Sequence, residues 1–133
     1  MFHKKIRIWH LHLKQMFKVA VINFETNTVE AYPFIGEKRN TSMVFNMSEV
    51  ILSQASGLQD DKNFNVFEKD ILNFEDTSCV LRYGDYGDNI TKVNGFGWYL
   101  DSGLYHFPYL GGAEKIGNIF ENPEIVIGDS YVR

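Results

Sequence analysis

FGWYLDSGLYHFPY, residues 96–109, reads as strand, turn, strand. Residues 96–100 and 104–109 are apolar, aromatic-rich runs, and Asp101-Ser102-Gly103 between them has the composition of a tight turn. Two such runs around such a turn predict an antiparallel hairpin. The same grammar recurs outward along the chain. Lys5-Ile6-Arg7-Ile8-Trp9 alternates, which puts Ile6 and Ile8 on one face and Arg7 and Trp9 on the other. Residues 17–24 and 29–34 are extended runs around the turn-like Glu25-Thr26-Asn27-Thr28. Val66-Phe67, Ile71-Leu72 and residues 80–83 read as further strands, and residues 83–89 (YGDYGDN) as a turn. Gly111-Gly112 precedes a last strand over 115–120. Residues 43–55 are ambiguous: Ser48 and Glu49 suit a short helix ending at Gly57, while Val50-Ile51-Leu52 suits a strand, the reading preferred here. Residues 36–41 form a polar loop.

Short strands with turns every 8–12 residues argue for a small barrel or sandwich, and the fold expected is mostly β and small-barrel-like, with room for one short helix. The 133 residues suit one domain, 1–133, built from a β region over 1–56 and a barrel-like region over 57–133. A hydrophobic fraction of 44% is enough for a packed core, which argues against disorder. Trp9, Ile71, Leu81, Phe96, Trp98, Ile116 and Ile119 are the expected core. A lone cysteine, Cys79, excludes an internal disulfide and a thiolate zinc cluster, and fits a reducing cytoplasm. Basic residues interrupt the N-terminal apolar residues, and no apolar run reaches the ~18 residues of a membrane span, so neither a signal peptide nor a membrane segment is expected.

Net charge is −4 and uneven: residues 1–20 hold Lys4, Lys5, Arg7, Lys14 and Lys18 and no acid, while the rest holds 8 bases against 17 acids. Lys5, Arg7, Trp9 and Lys14 are therefore the candidate nucleic-acid contacts. Five bases neutralise few phosphates, so tight binding is not expected.

Other chemistry is thin. On a strand, His10 and His12 would share a face as two metal ligands, with His3 or His106 as a third, but nothing in the sequence brings them together. Cys79 and His106 could form a nucleophile pair, yet Ser78-Cys79-Val80-Leu81 reads as a strand whose thiol packs as a small hydrophobe. Asp85, Asp88 and Asn89 lack the spacing of a calcium loop. Asp60, Asp61, Glu68, Asp70, Glu75 and Asp76 make an acidic run, more often a solvated edge than a site. Trp98, Tyr99, Tyr105, Phe107 and Tyr109 could stack on single-stranded bases, though aromatics in so small a domain usually form core. No motif requires a cofactor or metal, and the chain reads as non-catalytic.

Three segments together resemble the YopX-like family of phage and prophage proteins. Ile6-Arg7-Ile8-Trp9 followed by Met16 is similar to its opening Arg-x-Trp and later Met. Gln54-x-Ser56-Gly57-Leu58-x-Asp60, running on to Val66-Phe67-Glu68-x-Asp70-Ile71-Leu72, is similar to its central motifs. Ile116-Gly117-Asn118-Ile119-Phe120-Glu121-Asn122-Pro123-Glu124 is close to its closing motif. Three positions depart: His10 stands where Asp commonly follows the Trp, Asn63 replaces a loop Gly, and Lys69 replaces the Gly before Asp70. The resemblance implies a phage origin and a mostly β fold, and supplies no mechanism. Within it Gly57, Leu58, Asp60, Asp70, Gly117, Asn118, Glu121, Asn122 and Pro123 are expected to be structural: Gly117 permits a bend or close approach and Asn122-Pro123 fixes a turn. The function expected is that of a binding or accessory module working through an unidentified protein partner or self-association, with nucleic-acid binding as the alternative.

Overall fold

The computed structural model describes residues 3–33, 41–87, 92, 94–125 and 127, without the side chains of residues 3–5. Its strands are β1 (His3–His10), β2 (Gln15–Asn23), β3 (Thr28–Pro33), β4 (Met43–Asn46), β5 (Val50–Gln59), β6 (Asn65–Phe67), β7 (Asp70–Phe74), β8 (Thr77–Gly87), β9 (Asn94–Asp101), β10 (His106–Pro108) and β11 (Glu114–Asn118). One six-stranded sheet has the order β4-β3-β2-β1-β5-β6, and one five-stranded sheet the order β10-β9-β8-β7-β11. The β-rich expectation holds. Barrel closure does not: the pairings among described residues leave each sheet with two end strands, whereas a barrel pairs its last strand with its first. No helix among the described residues is long and apolar enough to cross a membrane.

Between β4 and β5 the chain makes a 3-10 turn, Met47–Glu49, in which Glu49 Oε1 accepts the Asn46 N–H at 3.1 Å. Val50 then enters β5, which runs through Gln59, so the strand reading of this ambiguous stretch holds and a helix reaching Gly57 does not form. Residues 36–40 of the polar loop, and Asp88 and Asn89, lie outside the described residues. The turn expected over 83–89 is instead the end of β8, which continues to Gly87. Gly84 and Gly97 face each other in the β8–β9 register, both with φ of 143°, a backbone region open to glycine, so the ladder runs through what the sequence presents as a breaker.

The chain divides into two compact units, Met1–Ala55 and Ser56–Arg133. The first packs Ile8, Phe17, Val19, Val29, Ala31, Phe45 and Val50 into a core, with Ile6, Ile22 and Met47 against it. Ile6 and Ile8 sit on one face of β1 as alternation predicts. Each large side chain buried there stabilises the unit by about 1.5–3 kcal/mol. The second unit's core is Val66, Leu72, Cys79, Leu81, Leu100, Tyr109 and Ala113, flanked by Leu58, Phe74, Trp98 and Phe107.

Of the expected core residues, Trp9, Ile71 and Leu81 are buried, and Trp98 and Ile119 are half-buried. Phe96 and Ile116 are corrections, at 66% and 39% exposure. Lys115 pairs with Leu72 and Gly117 with Ile71, the next residue back along β7, so Ile116 is the extra residue of a β-bulge and leaves the pattern of alternation. Phe96 lies opposite Asp85, four residues beyond the last buried pair of that face, Leu81 and Leu100.

Candidate functional site

The basic segment does not present the expected surface. Arg7 is 4% exposed, its Nε donating to Ser53 Oγ at 3.1 Å, and Trp9 is also buried. Burial takes both out of reach of a nucleic acid. Lys14 is exposed in the β1–β2 turn with φ of 55°, and the Lys5 side chain is outside the described residues. His10 is buried edge-on against Phe45, and its Nδ1 accepts the N–H groups of His12 (3.2 Å) and Leu13 (3.0 Å). His12 lies in that turn rather than on a strand; the turn still brings the two rings to 6.0 Å, tilted at 58°, but His10 Nδ1 is taken by backbone N–H groups. Among the described residues no three His, Cys, Asp or Glu side chains gather as metal ligands.

Cys79 is fully buried in the second core. His106 Nδ1 accepts the Gly87 N–H at 3.0 Å, and its Nε2 lies 3.6 Å from Asp101 Oδ1. With Nδ1 engaged by a donor and Nε2 facing a carboxylate, this imidazole is placed to hold the end of β8 against β10, not to take a proton from a thiol.

The signature residues assemble into a clasp around β11. Asp60 accepts the N–H groups of Lys62 (2.9 Å) and Phe64 (2.8 Å) at Oδ1 and that of Lys115 (3.0 Å) at Oδ2. Burial pushes its carboxyl up, but the three N–H donors, from Lys115, Phe64 and Lys62, and the nearby Lys115 charge together hold it below the ordinary aspartate value. Asp70, fully buried, accepts the Phe67 N–H at 2.7 Å and pairs with Lys115 Nζ at 3.2 Å. Asn118 Oδ1 accepts from Phe120 and Glu121, and its Nδ2 donates to Glu121 Oε1 at 2.8 Å. Asn122 Oδ1 in turn accepts the Asn118 N–H at 3.1 Å. A Cβ at Gly117 would collide with Asn122 Oδ1 and lie 2.8 Å from its Cγ, which is why the turn leading to Pro123 needs glycine there. Gly57 has φ of 82° in β5, and Leu58 packs on the core with its N–H bonded to Ser56 Oγ. Within the acidic run, Asp60 and Asp70 are thus engaged by backbone and lysine, and Glu75 and Asp76 form a turn.

An unexpected feature lies at the far end of the β8–β9 ladder. Tyr83 faces Trp98 and Asp85 faces Phe96. The Tyr83 and Phe96 rings meet at 5.4 Å and 78°, and those of Tyr83 and Trp98 at 4.9 Å and 54°. Trp98 anchors the group to the core, while Tyr83 is 46% and Phe96 66% exposed. On the opposite face Arg82 Nε bonds Asp101 at 2.9 Å, and Tyr86 stacks on Tyr99. Burial, and then Asp101, push the Tyr99 hydroxyl above its ordinary pKa. Of the aromatics picked out as a stacking face, Tyr109 is core and Tyr99 is buried, while Trp98 and Phe107 pack on the core. The exposed rings are ones the sequence did not mark, because it does not print the cross-strand register that unites them. A cavity of about 160 Å³ lined by Thr77, Ser102, Leu104, Tyr105 and Phe107 has no charged wall and is smaller than the roughly 300 Å³ at which ligand pockets begin.

Residues 5–126 match the family described as YopX protein. The crystal structure of protein EF1440 from Enterococcus faecalis is similar over 90% of this chain and 95% of that one, with 21% sequence identity and a TM-score of 0.47. No curated protein matches the chain.

Proposed function

The chain belongs to the YopX family, and on that premise we propose that it is a phage or prophage protein acting in the host cytoplasm as a non-catalytic binding or accessory module, through protein–protein contact or self-assembly. The observation that carries this reading is the aromatic group on β8 and β9, with Tyr83 and Phe96 exposed and Trp98 half-buried beneath them. Contiguous exposed aromatics anchored on a rigid sheet are the usual centre of a protein interface. The side chains that could have carried chemistry are otherwise engaged: Cys79 in the core, His10 in a turn, His106 between Gly87 and Asp101. A lone cysteine with no disulfide favours a reducing compartment.

The test compares the wild type with Phe96→Ser, a change at an exposed position that should leave stability within about 0.5 kcal/mol. Light scattering over a concentration series reads self-assembly. Affinity capture from prophage-induced cells, with every captured protein re-tested as a purified pair, reads a partner. The wild type should gain mass with concentration or form a purified pair, and Phe96→Ser should do neither. A wild type that stays monomeric and captures nothing beyond what the variant captures overturns the reading.

A further inference from the structure

We propose that the face formed by Tyr83, Asp85, Phe96 and Trp98 receives a basic side chain, lysine or arginine, from the partner protein. This rests on the reading of that face as the contact surface and adds the chemistry of what it contacts. The aromatic face of a ring carries partial negative charge and attracts a cation within about 6 Å of its centre. Tyr83 meets its two neighbours at 78° and 54°, not in a flat stack, and Tyr83 and Phe96 are largely open. Ring surface is therefore available to a cation from outside.

The charge beside the rings has the matching sign. Alternation puts Asp85, exposed, on the same face as Tyr83 and directly across from Phe96. β8 and β9 carry three charged residues: Asp85, Asp101 and Arg82. Arg82 lies on the opposite face and is bonded to Asp101, so Asp85 is the one formal charge those strands leave on the aromatic face. A guanidinium or ammonium there would meet rings and carboxylate together, and its aliphatic stem would cover Phe96. The charge also selects among occupants. A phosphate backbone would be repelled by Asp85 and by the chain's net −4. A twofold contact of two copies centred on this face would bring two Asp85 carboxylates together.

A fluorescein-labelled oligo-arginine peptide is the probe, followed by anisotropy against the intact chain. An oligo-glutamate peptide and a single-stranded oligonucleotide are the comparison ligands. The arginine peptide should bind, more weakly as salt rises, and the other two should not. Phe96→Ser and Asp85→Asn should each weaken it by about fivefold. Glu75→Gln, which removes an equal charge from the β7–β8 turn, should leave it unchanged. Equal loss in Glu75→Gln would reduce the effect to net charge and overturn the inference. So would preferred binding of either comparison ligand, or no response to Phe96→Ser. If partner capture depends on Phe96 while the arginine peptide does not bind, the contact surface survives and its cationic occupant falls. If neither capture nor the gain of mass with concentration depends on Phe96, both fall.

Discussion

Asp60 shows how much of the second unit hangs on single polar groups. Its carboxylate takes three backbone N–H groups, two from its own loop and one from Lys115 on β11. An amide in its place has one acceptor oxygen and turns an N–H₂ toward donors. Asp60→Asn should therefore cost about 2 kcal/mol at pH 7, measured by urea denaturation. The pH dependence has a definite sign. The folded carboxyl titrates below the ordinary value of 3.8, so its contribution is complete above that pH and is lost as pH falls through the folded value. The gap between wild type and variant should narrow below about pH 4; a constant gap would mean the charge is not what Asp60 contributes. Left-handed backbone is legible at this scale only in part. Asn63 has φ of 68°, as expected of the side chain that best tolerates the Gly position it fills. Lys69 has φ of 72°, so the turn keeps the glycine-like conformation although the glycine is gone. Its N–H bonds Leu81 O at 2.7 Å and its carbonyl accepts from Ile119, which over-determines a conformation lysine disfavours.

At the scale of the element, turns and bulges decide where side chains point. The β7–β8 hairpin closes through two residues, Glu75 (φ 51°) and Asp76 (φ 65°), between the paired Phe74 and Thr77. Two successive positive φ angles are the geometry for which Asn-Gly is preferred. Replacing Glu75 by Asn and Asp76 by Gly should stabilise the protein by about 1 kcal/mol, read as a higher urea midpoint at unchanged slope. A lower midpoint would mean that the acidic pair serves the fold in some other way. The bulge at Ile116 works in the opposite direction: one added residue puts an isoleucine on the surface and sets Gly117 beneath Asn122. The closing signature is thus a device for ending β11 and turning the chain. Ile119 N–H bonding Lys69 O ties that turn to the entry of β7.

Across the whole molecule, charge and burial argue together. The bases of residues 1–20 suggest a nucleic-acid contact, but Arg7 and Trp9 are buried. With so few phosphates open to neutralisation, and a net −4 on the chain, neither single- nor double-stranded oligonucleotides should bind tightly at about 150 mM salt. Fluorescence titration checks this. Submicromolar affinity that falls on Lys14→Ala would restore the basic segment as an interface.

Composition and local pattern alone determined the β-rich class and most of the strands, because period-two alternation and turn residues act within a few neighbours. They also marked the family's motifs, and Asn63, Gly117 and Asn122-Pro123 as places where the backbone is special. Tertiary structure alone decided which face of each strand meets core. Register is a relation between strands distant in sequence: Tyr83 and Trp98 become partners only when β8 pairs with β9, and Ile116 is turned out only because β11 meets β7 with one residue to spare. The same holds for closure of the sheets and for the burial of Arg7. A strand's own sequence fixes its alternation, but partners brought from elsewhere in the chain fix what each side of it touches.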